Sequence, residues 1–322
     1  MVVTLKPTDK KLLAHIYHNS REPATKIARA IHLSREQVAY RIKKFEKEGL
    51  IKGYIPLVSY SRLGYHSLTL LFLKFNKQNQ IQEFKNTIRK SSFRINTATI
   101  MAKYDLGVMF VFKNEKERNE QLTQILQNYN SEISDYFIFE PNFSEFFPLK
   151  FLNAKEMPVQ KMHEYKQEEY VLDEKEKKIL SVLNENANLP LIEISKKTSI
   201  SAELLVYKIK KLKEEKVLLS TRAYFNMEKI GHFYSILLIT LHSISENSLN
   251  KLKQFARQNE FIDSLMTSFG KPNVYIQIFH KNLEDLHKTI SDLNAQFQNE
   301  QIAIEILPLK NEGEDINALP FL

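Results

Sequence analysis

The segment SREQVAYRIKKFEK (34–47) concentrates side chains that can bond both bases and phosphates. Ser34, Arg35, Gln37, Tyr40, Arg41 and Lys44, the candidate DNA contacts, all fall within it. Arg and Gln make paired hydrogen bonds to guanine and adenine edges, while Lys neutralises phosphate. Val38, Ile42 and Phe45 stand at i, i+4 and i+7, which predicts a helix with those three turned inward. Glu36, Gln37, Tyr40, Lys43, Lys44 and Lys47 then share the outer face, three lysines against one glutamate. Ser34 and Gln37 have the spacing of a capping box, and Gly49 suits the left-handed residue that ends a helix. An ordinary solvated helix face would read the same way, so the surrounding elements have to decide.

Other chemistry is sparsely supplied. With no Cys, the chain has no disulfides, thiolate metal sites or cysteine catalysis. His15 and His18 lie three apart on one predicted helix with no third ligand near in sequence, so no metal site and no cofactor are expected. Nucleophile elbows, phosphate loops and dinucleotide fingerprints are absent, and an enzyme is not expected.

Two further helical patterns precede the capped one. Leu12, Leu13 and Ile16 form the apolar stripe of the first, and Ile27, Ala28 and Ile31 that of the second. Thr25 and Lys26 open the second, where free backbone N–H groups suit a phosphate, although a simple helix start is equally served. LIKGYIPLV (50–58) follows as a wing or connecting strand and carries Lys52, a further candidate phosphate contact. Helix, helix, capped helix and β run make a winged helix-turn-helix pattern.

The charge distribution agrees. The 322 residues carry 46 basic and 38 acidic side chains, a net +8. Residues 1–64 alone hold 13 basic and 5 acidic groups, whereas 233–322 hold 7 and 11. Basicity gathered in one short segment is the footprint of a polyanion binder, although on charge alone a solvated lysine-rich surface reads better; with the helix-turn-helix pattern the expected partner is double-stranded DNA. The longest apolar runs, LTLLFL and YSILLITL, are too short to span a bilayer, and the N-terminus lacks a secretory core. A soluble, cytoplasmic chain with no membrane partner is expected.

The chain is also a tandem repeat. At a shift of 167, Leu5 meets Leu172, Pro23 meets Pro190, Ser34 meets Ser201, Tyr40 meets Tyr207 and Gly64 meets Gly231. After each helical half the period changes. SLTLLFLKF (67–75), Gln80–Lys90, RINTATIM (94–101), LGVMFVF (106–112), Glu115–Tyr129 and ISDYFIF (133–139) read as strand, helix, two strands, helix and strand. The second copy repeats the order through YSILLITL, Leu249–Gln258, FIDSLMTSF, VYIQIF, Leu283–Phe297 and IAIEIL. The order βαββαβ is ferredoxin-like, an antiparallel sheet with helices on one face. The other face, assigned to Leu71 and Leu73 in copy one and to Leu237 and Ile239 in copy two, needs a partner, and the other copy is the natural one. The fold class is therefore α+β, with expected domains at 1–64, 65–150, 171–231 and 232–322 and a polar linker at 151–170.

The run LSREQVAYRIKKFEKEGLIKGYIPLVSYSRLGY (33–65) resembles the Lrp/AsnC, or feast/famine, family of transcriptional regulators. The resemblance is carried by Leu33, Ser34, Val38, Arg41, Ile42, Phe45, Glu46, Gly49, Ile51, Gly53 and Tyr54. It implies a DNA-binding winged helix-turn-helix joined to a ferredoxin-like regulatory domain that self-associates through its sheets and often binds an amino-acid effector. That family frequently has Gly-x-Tyr-Asp at the hairpin between the middle strands. Copy one keeps Tyr104 and Asp105 but has Ala102, and copy two keeps Gly270 but has Pro272 and Asn273. Asp105 then reads either as a ligand for an effector's ammonium or as a structural turn residue.

Copy two departs from the pattern on its outer face. Arg35, Gln37, Arg41, Lys47 and Gly49 become Ala202, Leu204, Lys208, Glu214 and Lys216. Tyr207, Lys208 and Lys211 remain as candidate DNA contacts. The expected regulator is thus one chain acting as a pseudo-dimer that reads DNA mainly through its first module. Two alternatives stand beside it. A fused siroheme-decarboxylase-like enzyme shares the two-domain unit, but AKYDLGVMF (102–110) lacks the His, Arg and Trp those enzymes typically carry there. An architectural DNA-compacting protein would differ from the regulator only in its ratio of specific to non-specific affinity.

Overall fold

The computed structural model describes residues 2–152, 159–164, 167–242, 245–298, 300–314 and 316–322. In chain order the first copy runs α1 (Pro7–Asn19), α2 (Ala24–Ile31), α3 (Arg35–Lys47), β1 (Ile51–Val58), β2 (Ser67–Phe75), α4 (Gln78–Ile88), β3 (Arg94–Ile100), β4 (Leu106–Phe112), α5 (Glu115–Asn128) and β5 (Ile133–Phe139). Two short strands follow, β6 (Phe143–Phe146) and β7 (Gln160–Glu164). The second copy is α6 (Glu174–Glu185), α7 (Leu191–Thr198), α8 (Ala202–Glu214), β8 (Leu218–Phe225), β9 (Phe233–Leu241), α9 (Glu246–Gln258), β10 (Ile262–Thr267), β11 (Val274–His280), α10 (Leu283–Gln296) and β12 (Ile302–Glu314).

The repeat is not the structural unit. One compact unit gathers both helix-turn-helix halves (Met1–Ser59, Phe147–Gln160 and Tyr170–Phe233), and the other gathers both βαββαβ halves (Tyr60–Phe146, Lys161–Glu169 and Tyr234–Leu322).

In the first unit β1 and β8 pair antiparallel, with Ile55 opposite Arg222. At the repeat shift of 167, Arg222 is the counterpart of Ile55. An antiparallel pair centred on two equivalent residues places a pseudo-twofold axis between them. Each first helix packs on the other copy's strand, α1 on β8 and α6 on β1. Backbone bonds lock the exchange: Ser20 N–H donates to Thr221 O at 2.9 Å and Ala187 N–H to Tyr54 O at 3.0 Å. The Arg21 guanidinium adds bonds to the carbonyls of Ala187 and Leu189 at 2.9 and 2.6 Å. LIKGYIPLV therefore forms one strand of a two-stranded ribbon that its own counterpart in the other copy completes.

In the second unit each half has the strand order expected of βαββαβ, β5-β2-β4-β3 and β12-β9-β11-β10. The halves join edge to edge, β12 to β3 and β6 to β10. Glu140-Pro141-Asn142 interrupts β5 from β6, since proline withholds a ladder donor, whereas β12 runs unbroken through both roles.

The face assignment of the sheets is the reverse of the expected one. Leu71 and Leu73 pack beneath α4 and α5 with Phe84, Ile88, Leu122 and Ile125. The partner face is built from Leu70, Phe72, Ile100 and Phe139 against Ile236, Leu238, Met266, Tyr275 and Leu307. Neighbouring strand residues point to opposite faces, so a one-residue error exchanges the two sets. The span read as a linker holds β7 beside β6, because main-chain groups at the β6 edge need partners. Residues 153–158, 165 and 166 of that span lie outside the described residues.

Candidate nucleic-acid interface

Helix α3 begins as its sequence dictates. The Ser34 hydroxyl accepts the Gln37 N–H at 3.2 Å, and the Gln37 side-chain oxygen accepts the Ser34 N–H at 3.0 Å. The cap leaves Gln37 only its amide NH2 to offer outward. Val38 and Phe45 are buried, while Ile42 is half-buried rather than fully inside. Arg35, Tyr40, Lys43, Lys44 and Lys47 are exposed along one side. Among the described residues Arg35, Lys43 and Lys47 make no ion pair, and Lys44 has only Glu48 at 3.8 Å.

Arg41 takes a different position from the one expected. Its guanidinium pairs with Asp9 on α1, and the two side chains are 22% and 9% exposed. It braces α3 to α1 rather than facing outward. Copy two repeats the brace: Lys208 pairs with Asp173 and lies 3.1 Å from Glu176, which is 1% exposed. The hydrogen bond from Lys208 to Asp173, outweighing desolvation, raises the lysine's pKa and keeps it charged. Asp9 and Glu176 are equivalents at the shift of 167, as are Arg41 and Lys208. That matched acid–base pattern is the signal a sequence reading could have used.

The two other outer-face lysines of α8 are also paired. Lys211 lies 3.8 Å from Glu176, with its ammonium 5.4 Å from the Tyr170 ring centroid. Lys210 pairs with Glu214 at 3.5 Å. Tyr207 alone of the three expected contacts there stands open, 60% exposed. Lys216 takes φ 55°, where Gly49 takes φ 65°, so the lysine holds the left-handed conformation glycine favours.

At the start of α2, Thr25 is exposed. Lys26 is exposed too, with its ammonium 2.5 Å from Glu22 and its backbone N–H donating to Pro23 O at 2.8 Å. Lys52 is exposed on β1, in the two-stranded ribbon. His15 bonds Glu22 at 2.8 Å. His18 is buried, and desolvation first and Arg222 second lower its pKa to about 3, so the ring is neutral. Among the described residues no three His, Asp or Glu side chains are grouped to hold a metal ion, and no helix is long and apolar enough to cross a membrane.

The expected effector residues serve the backbone. Asp105 accepts the Lys74 ammonium and the Phe75 N–H, both at 2.8 Å. Its counterpart Asn273 accepts the Leu241 N–H and donates to Leu241 O, again at 2.8 Å. Each ties the end of the first strand of its sheet to the middle hairpin. Tyr104 is buried against Phe72, and Gly270 donates its N–H to Ser268 Oγ at 3.2 Å.

Comparison with known proteins places this geometry. A family profile described as winged helix-turn-helix DNA-binding matches residues 5–52 and 172–218. The HTH-type transcriptional regulator LrpA of Pyrococcus horikoshii is 30% identical over 122 residues, 38% of this chain and 85% of that protein. The chain belongs to the Lrp/AsnC family. The proline dehydrogenase transcriptional activator of Rhodobacter capsulatus is 34% identical over 92 residues, 28% of this chain, which spans 60% of that relative's length. Among solved structures, the siroheme decarboxylase NirDL covers 95% of this chain and 91% of its own, with TM-score 0.61 and 16% identity. That likeness concerns the fold, and it overturns one expectation: a fold that matches this chain over 95% of its length is found in an enzyme, so the fold gives no ground for excluding catalysis.

Proposed function

We propose that this Lrp/AsnC protein is a DNA-binding transcriptional regulator in which one polypeptide supplies both heads of the reading unit. Helix α3 reads bases with Arg35, Gln37 and Tyr40 and holds phosphate with Lys44. Thr25 and Lys52 flank it on the backbone. Helix α8 grips with Tyr207 and reads little. The observation that carries this reading is the contrast in free charge at equivalent places: Arg35, Lys43 and Lys47 are unpaired among the described residues, whereas their counterparts are Ala202, Lys210, which pairs with Glu214, and Glu214 itself. A small-molecule effector belongs with this reading, but an amino acid's ammonium would have to displace Lys74 from Asp105 to use that carboxylate.

The test is a titration of genomic DNA fragments across a salt series. Each phosphate contact should contribute about −0.9 to the slope of log affinity against log salt. The shared fold with NirDL calls for a parallel incubation with siroheme, read by tetrapyrrole absorbance. Salt-sensitive binding to a subset of fragments supports the regulator. Absence of DNA binding at low salt, with a siroheme spectral change, refutes it.

A further inference from the structure

The two outer faces keep Glu36, Tyr40, Lys43 and Lys44 as Glu203, Tyr207, Lys210 and Lys211 and have diverged around them, so that tyrosine is the one aromatic side chain both retain. Arg35 faces Ala202 across the repeat, Gln37 faces Leu204 and Lys47 faces Glu214, yet Tyr40 faces Tyr207. Both tyrosines lie in mid-helix and are 70% and 60% exposed. Among the described residues neither the ring nor the hydroxyl of either one has a partner. Two large aromatic rings exposed at matching places on lysine-bearing helix faces leave apolar surface that a partner can cover. The pseudo-twofold axis at the Ile55–Arg222 pair relates the two positions, so whatever covers one has an equivalent at the other.

In the major groove the feature that answers an apolar side chain is the C5-methyl of thymine. We propose that Tyr40 and Tyr207 each seat on a thymine methyl, so that both half-sites of the operator share a thymine at equivalent places. Arg35 and Gln37 add guanine and adenine readings in the first half-site alone. The operator is then symmetric at one position and asymmetric around it. This rests on the regulator reading given above.

The experiment uses the full-length chain and the DNA it selects from a random library. Each thymine of the selected site is replaced in turn by deoxyuridine, which removes only the methyl group. One dU in each half-site should weaken wild-type binding about fourfold, the weight of one buried methylene-sized group. Tyr40→Ala should abolish sensitivity to dU in the first half-site only, and Tyr207→Ala in the second only. Circular dichroism of each variant checks that the helices persist. If the chain selects DNA but is indifferent to dU, or if sensitivity survives both substitutions, this inference fails while the regulator reading stands. If no DNA is selected, both fall.

Discussion

Replacing Arg41 separates bracing from reading. Its guanidinium is held by Asp9, with side-chain exposures of 22% and 9%. Exposed ion pairs contribute up to about 1 kcal/mol, and removing one partner of a fully buried pair costs about 3–5 kcal/mol. This pair lies between those limits. Asp9 also accepts the Lys6 N–H at 2.9 Å, so its carboxylate is not left bare when Arg41 goes. Arg41→Ala should therefore destabilise the helix-turn-helix unit by about 2 kcal/mol. With a denaturant slope near 2 kcal/mol per molar, the urea midpoint read from helical circular dichroism should fall by about 1 M. Asp9→Asn added to Arg41→Ala should cost little more, since the two residues share one interaction. Lys44→Ala is the contrast: half-exposed and 3.8 Å from Glu48, it should leave the midpoint unchanged and weaken DNA binding. The reasoning is refuted if Arg41→Ala leaves the midpoint in place and lowers DNA affinity as Lys44→Ala does.

Three further outcomes are expected. Lys216→Gly removes an L side chain from φ 55° and should stabilise the unit by about 0.5–1 kcal/mol, raising the thermal midpoint by a few degrees; a fall would contradict the cost assigned to that backbone. His18 stays neutral when folded down to pH about 3, whereas an unfolded histidine takes a proton below about 6.5. Its contribution to stability is thus present above pH 6.5 and is lost as pH falls toward 3, by about 1.4 kcal/mol per unit; His18→Gln should flatten that slope, and an unchanged slope would count against it. Asp105→Ala leaves the buried Phe75 N–H without its acceptor and should cost about 1–3 kcal/mol, while Asp105→Asn, which copies the role of Asn273, should cost far less. Equal losses from both would refute the tethering role.

The legible parts of the fold were those with a local signal. Helix α3 is announced by its cap, by the inward Val38 and Phe45, and by Gly49, all within one short segment. The sheet faces were not legible, because β2 is buried on both sides almost throughout and its run SLTLLFLKF has no polar alternation to orient it. The brace was missed because Asp9 lies 32 residues from Arg41. Only the matched pair Glu176 and Lys208 in the second copy hints that the two belong together. Strands β6 and β7 escaped notice because their pairing depends on an edge supplied by β10, more than a hundred residues away in sequence. Pairing of the two sheets was legible from their uncovered apolar faces, whereas the joining of the two helix-turn-helix halves through β1 and β8 depends on contacts between copies that neither copy's pattern contains.

The central claim is that one chain carries one reading head and one gripping head. Selection of binding sites by the full-length protein, followed by measurement of base preference at every position, tests it most directly. The account predicts a footprint with one well-specified half-site and a second that retains little beyond a shared thymine. Grafting arginine, glutamine and lysine at Ala202, Leu204 and Glu214 should then raise affinity for sites in which the specified half is duplicated. A fully specified palindrome bound by a single unaltered chain would contradict it.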